Sequence, residues 1–142
     1  MKRLSLFILL LGLYSCELDG NSSSSTSDIG EEQLRNDLII TSGLRIVQYI
    51  DDGEDETDDF DDFLFRFSTD GNVTATRGNE VVEGSYRVFR DDGQTELELD
   101  FPSNSILDDL DDDWYFRGKA NNRLTFEDDD DDNDFERLVF EF

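Results

Sequence analysis

The chain has 142 residues, of which 12 are Lys or Arg, 37 are Asp or Glu, none is His and one is Cys, giving a net charge of −25. Without His the usual general base, the Ser-His-Asp and Cys-His nucleophile systems and most zinc, copper and non-haem iron sites are excluded. So strongly negative a field also excludes nucleic acid, whose binding rests on cationic side chains meeting phosphates, and keeps the domain off anionic headgroups.

The N-terminus opens with Lys2 and Arg3, followed by an apolar run from Leu4 to Tyr14. That run matches a signal-peptide core of roughly 7–15 residues and is too short for the ~20 needed to span a bilayer. It ends in Leu13-Tyr14-Ser15-Cys16, which resembles the lipobox of bacterial lipoprotein precursors. The resemblance implies cleavage after residue 15 and acylation of Cys16. Two or three acyl chains anchor a protein stably where one does not. Asn21 to Ser27 is almost entirely Ser and Thr, too polar to pack, and reads with Cys16 as a tether over residues 16–27. Glu17 after the Cys, with Asp19 nearby, resembles the pattern of outer-membrane and surface-exposed lipoproteins. Removing the leader takes away Lys2 and Arg3 and leaves a mature charge of −27. The partners left open are the membrane through its anchor, cations, a basic protein or a small apolar ligand, with the domain as a monomer.

Residues 28–142 have the length of one small domain. Asp28 to Ile40 predicts a short helix, with Asp28 and Glu31 as a capping box and Leu34 and Leu38 on one face. Gly43 ends it. After that the hydrophobic period changes to two. Alternation predicts eight strands, roughly at 44–50, 60–68, 73–77, 81–90, 95–101, 113–119, 123–127 and 135–142. Asp70-Gly71, Gly78-Asn79, Asp92-Gly93 and Asn121-Asn122 are hairpin dipeptides, so the strands form an antiparallel meander. Pro102 stops the fifth strand, and Ser103 to Leu110 predicts a short helix or turn-rich crossover. The fold class is therefore all-β: an up-and-down meander closing as a lipocalin-like barrel, or alternatively folding as a β-sandwich. Its Phe-rich interior reads first as a filled core and second as a ligand pocket.

The acids cluster at Asp51 to Asp62, Asp108 to Asp113 and Asp128 to Asp134. Asp is poor in strands and favoured in turns, so these runs mark loops. Calcium takes six to eight oxygen ligands, which dense Asp loops supply. The first candidates are Asp128, Asp130, Asp132 and Asp134; Asp51, Asp55, Asp58 and Asp59 come next, then Asp109, Asp111 and Asp113. None fits an EF-hand, since the run from Asp128 has Asn133 at the sixth position and Val139 at the twelfth. The competing expectation is a solvated acidic surface holding cations diffusely. No cofactor other than calcium is expected. A carboxylate pair of the glycosidase type is the remaining catalytic option.

Residues 43–126 resemble the lipocalin-like domains of small flavobacterial and other Bacteroidetes lipoproteins. The likeness is carried by Gly43-Leu44-Arg45-Ile46, by Tyr49 to Phe60, by Phe65-Arg66-Phe67 with Asp70 to Thr76, by Gly84-Ser85-Tyr86 and by Leu110 to Trp114. It implies an eight-stranded, lipocalin-like fold on a lipid anchor, and neither a ligand nor an activity. Such domains usually have Trp where Leu44 stands, so a looser barrel end is expected, and a shorter, Gly-containing loop where Asp128 to Asp134 stand.

Overall fold

The computed structural model describes residues 29–40, 42–128 and 135–142. The leader, Cys16, the tether and Asp28 lie outside the described residues, as do Asp130, Asp132 and Asp134.

One antiparallel sheet is built from β1 (Arg45–Asp51), β2 (Glu54–Asp55), β3 (Leu64–Phe67), β4 (Asn72–Arg77), β5 (Glu80–Asp91), β6 (Gln94–Asp100), β7 (Asp113–Ala120), β8 (Arg123–Glu127) and β9 (Arg137–Glu141). The order is β2-β1-β9-β8-β7-β6-β5-β4-β3, the up-and-down meander that alternation and short turns predict. The four predicted hairpin dipeptides all lie between paired strands, with left-handed backbone at Gly71, Gly78, Asp92, Gly93 and Asn121. The ladder is not closed. The start of the sheet's second strand meets its last at one isolated bridge, where Leu44 and Phe65 exchange two backbone hydrogen bonds of 2.8 Å. Leu44 is fully buried there.

Three boundaries differ from expectation. Among the described residues there are nine strands rather than eight, because the acidic run assigned to a loop contains β2. Asp52-Gly53, at φ 48° and 79°, forms a tight turn that folds β2 back onto β1. The strand expected from residue 60 starts at Leu64, since a 3-10 turn over Thr57–Phe60 tucks Phe60 into the core and Asp62 turns left-handed at φ 68°. The helix α1 (Glu31–Leu38) has Gly30 at its N-cap with no side-chain cap bond.

Leu34 and Leu38 of α1 are fully buried. The helix is tied down by Arg35 Nη2 donating to the Val88 carbonyl (3.0 Å), Thr95 Oγ1 donating to the Ile29 carbonyl (2.6 Å) and Lys119 Nζ on Asp37 Oδ1 (2.8 Å). It thus caps the end of the sheet where β5 finishes and β6 begins. Another segment caps the opposite end. A 3-10 turn over Ile106–Leu110 buries Leu107 and Leu110, and its carbonyls accept from Trp114 Nε1 (Leu110, 3.0 Å) and the Tyr49 hydroxyl (Asp109, 2.5 Å).

Between the caps the interior is aromatic. Phe140 packs edge-on against Phe65, Phe67 and Phe126, with ring centroids 5.4, 5.8 and 6.3 Å away. Phe126 also meets Phe116 at 5.6 Å, and Tyr49 meets Phe60 at 4.8 Å. Edge-to-face pairs add about 0.5–1.5 kcal/mol beyond the area they bury. Phe140→Ala is expected to destabilise the domain by about 3–5 kcal/mol in urea unfolding, because three rings lose their partner at once. A loss below about 1 kcal/mol would mean that the core collapses freely around the cavity.

Candidate functional site

The sheet end away from α1 gathers acids from four parts of the chain. Asp51 ends β1 and Asp52 begins its turn; Asp112 precedes β7; Asp128 follows β8; Glu136 precedes β9. Strand pairing brings them together. The last registered pair of β8 and β9 is Glu127 with Arg137, which leaves Asp128 and Glu136 as the next residues outward on each strand. The Gly53 N–H donates to the Phe135 carbonyl at 3.1 Å, fixing the Asp52 turn beside Glu136.

Among the described residues two triads result, both containing Glu136. One carboxylate oxygen from each of Asp51, Asp52 and Glu136 lies within 4.8 Å of the others, and so does one from each of Asp112, Asp128 and Glu136. All but the exposed Asp52 are half-buried. Two oxygens each about 2.4 Å from one calcium ion stand at most about 4.8 Å apart, so either triad has the span of a calcium half-shell. Three hard oxygen donors in each triad, without nitrogen or sulfur, suit calcium or magnesium and not a softer metal.

The electrostatics agree with that donor set. Burial, then the charges of Asp51, Asp112, Asp128 and Asp52, push the Glu136 carboxyl up to about 7. Burial raises the Tyr49 hydroxyl, helped by Asp51 and Glu136. A bound divalent cation would neutralise the repulsion behind the carboxylate part of these shifts.

Asp51 and Asp128 are the two sequence candidates that enter the cluster. Asp55 does not: its carboxylate accepts from the Thr57 hydroxyl (2.6 Å) and Thr57 N–H (3.1 Å), which lowers its pKa and spends it on the turn. Asp58 and Asp59 sit exposed in the 3-10 turn. Asp109 contributes its carbonyl to Tyr49, and Asp111 Oδ1 accepts from the Phe101 N–H at 2.7 Å. Burial raises Asp111 to about 6. Asp113 begins β7 and belongs to neither triad. Asp130, Asp132 and Asp134 lie outside the described residues. Asp52, Asp112 and Glu136 were not among the candidates. The Asp-Gly at 52–53 was a signal for the first; Glu136 carries no local signal, because only the β8–β9 pairing places it at the centre.

No protein-family model, curated protein or solved structure matches the chain. Among the described residues no helix is long and apolar enough to cross a membrane.

Glu136 has an ordinary value of 4.5 and titrates near 7 when folded, so the folded domain holds an extra proton between those pH values. Stability from this group is therefore full below about pH 4.5 and is lost as pH rises through about 7. Asp111, Asp113, Glu56 and Glu96, all raised chiefly by burial, act in the same direction. In a chelator-treated sample, urea stability is expected to fall across that window, and Glu136→Gln to flatten the slope. An unchanged slope in Glu136→Gln would show that Glu136 ionises like a free carboxyl.

Proposed function

We propose that this chain is a lipid-anchored envelope protein whose non-enzymatic β domain binds a divalent cation of the calcium class and is stabilised by it. The observation that carries the cation assignment is the convergence of Asp51, Asp52, Asp112 and Asp128 on the half-buried Glu136. Five mutually repelling carboxylates, drawn together by strand pairing, form an arrangement that a cation relieves. A lone proton-donor and nucleophile pair would suit glycan hydrolysis, but a crowd of acids sharing one Glu suits coordination better.

The Leu13-Tyr14-Ser15-Cys16 pattern and the tether support an acylated Cys16 in the outer membrane, with periplasm or surface as the site of action. The resemblance to lipocalin-like lipoproteins asks for a closed barrel. The Leu44–Phe65 bridge and the Phe65–Phe140 ring contact across the fold favour that closure.

A second reading, an interaction module, is favoured by the packed interior. Phe65, Phe126, Phe140 and Trp114 are fully buried against one another or their neighbours in the space where a lipocalin-type small ligand would sit. A partner would then be met on the outside of the sheet.

Calcium at a hundredfold excess over its Kd adds about 2.7 kcal/mol, several degrees in Tm for a domain of this size. Titration of the metal-free chain should raise Tm by that order, Glu136→Gln should remove most of the rise, and lowering the pH below about 7 should weaken it. No rise at millimolar calcium or magnesium ends the cation reading, and equal rises with the two end its assignment to calcium. For the anchor, Cys16→Ser is expected to move the protein from the membrane fraction to the soluble one; retention on membranes would refute it.

A further inference from the structure

β5 has 12 residues and its partner β6 has seven, so the two strands match over only part of their length. Pairing between them runs from Asp91–Gln94 to Ser85–Asp100 and stops. β4 covers β5 on its other side as far as Glu80. Among the described residues, 80–84 are therefore a strand with one partner and one open edge.

Ladder parity identifies which backbone groups face that edge. The two-residue turn at Gly78-Asn79 makes Arg77–Glu80 a hydrogen-bonded pair, so Val82 and Gly84 also bond to β4 and Val81 and Glu83 point away. The turn at Asp92-Gly93 makes Asp91–Gln94 a hydrogen-bonded pair, and counting along β5 reaches Ser85, then Glu83, then Val81 on the β6 side. Both hairpins give the same assignment. The group next in line for Glu83 is Pro102, which has no N–H, and the Pro102 carbonyl already accepts from Ser105 N at 2.9 Å. Two donors and two acceptors on Val81 and Glu83 thus face a groove of about 560 Å³, with Pro102, Asn104 and Ser105 on its far wall.

The side chains select the occupant. Val81 is 61 % exposed and supplies an apolar contact. Glu80, partly offset by Arg77 at 3.1 Å, and the exposed Glu83 make the rim acidic. A second copy of this edge would set its own Glu83 on the same face as the first, one diagonal apart, which like charge opposes. The tether, residues 16–27, contains Glu17 and Asp19 and no Lys or Arg, and Asp28 follows it. The run 128–134 is acidic throughout but for Asn133.

We infer that the open edge of β5 at Val81 and Glu83 accepts an extended, Lys- or Arg-bearing peptide segment of another protein as an added strand. Main-chain bonds to Val81 and Glu83 hold the segment, Val81 packs an apolar side chain of it, and Glu80 and Glu83 pair with its cations. The inference rests on the interaction reading and gives it a partner class; it does not need the cation.

The test uses the full-length chain and two capped probes of equal charge, a Lys-Val repeat and a Lys-Pro repeat, the second unable to add a strand. The Lys-Val probe should bind at least about tenfold more tightly. It should slow amide exchange at Val81 and Glu83 while leaving Glu54 and Asp55 on the β2 edge unchanged. Val81→Pro, which removes an N–H that bonds to nothing in the sheet, and Glu83→Lys should each weaken it by about tenfold or more with Tm retained. If Val81→Pro fails to fold, the exchange pattern and Glu83→Lys decide. Equal binding of both probes means charge attraction alone and overturns the inference. Selective Lys-Val binding that protects another edge overturns it too, but leaves the interaction reading standing. No binding of either probe overturns both.

Discussion

Phe140 on β9 touches Phe65 and Phe67 on β3, strands that stand six places apart in the sheet order. A flat sheet cannot make that contact; the sheet must curl until its inner face meets itself. Hairpin pairing alone specifies only neighbours, and each hairpin is marginal in water. The ring contacts are what turn a chain of hairpins into a core, and the Leu44–Phe65 bridge records the same approach in the backbone. The two ends of the molecule adapt to this curl. The helix α1 fills one end of the space with Leu34 and Leu38, and the segment around Leu107 and Leu110 fills the other.

The charge follows from the core. With the inward positions taken by apolar rings, ionised carboxylates have nowhere to go but the outer face and the ends, since burying them unpaired costs several kcal/mol each. On the outer face some are matched by Arg. Glu127 takes both Arg117 and Arg137, tying β7, β8 and β9 in one strip, and Arg123 reaches Glu141. At the end where β1, β8 and β9 converge, Asp51, Asp52, Asp112, Asp128 and Glu136 outnumber the cations. Repulsion there adds to burial in raising the Glu136 carboxyl.

Local patterns made most of the fold legible. Period-two alternation located every strand longer than two residues, and the hairpin dipeptides ordered them, because both are short-range effects of side-chain direction and backbone handedness. β2 was missed because Glu54 and Asp55 have low strand propensity; the Asp52-Gly53 turn overrides it. The site was less legible. Asp51 and Asp128 were found by acid density alone, whereas Glu136 is central only through a pairing register that brings residues from opposite ends of the domain together. Density also pointed to Asp55, whose carboxylate is occupied by Thr57, because composition does not say which acid a turn consumes.

The unequal lengths of β5 and β6 have the same origin as the cap. Tyr49 and Trp114 lie at the sheet end with a hydroxyl and an indole N–H that must be satisfied out of water. The carbonyls of Asp109 and Leu110 satisfy them, so the chain after β6 has to leave the sheet and cross that end. Pro102 enforces the departure by withholding the N–H that another pair would need. Gly84 allows it, since a Cβ there would lie 2.6 Å from both the Asp100 carbonyl oxygen and the Phe101 ring. β5 meanwhile remains a strand down to its turn because β4 holds it there. The open edge at Val81 and Glu83 is thus the counterpart of a capped core: backbone that would have paired with β6 is left facing solvent so that two buried aromatic donors can be met.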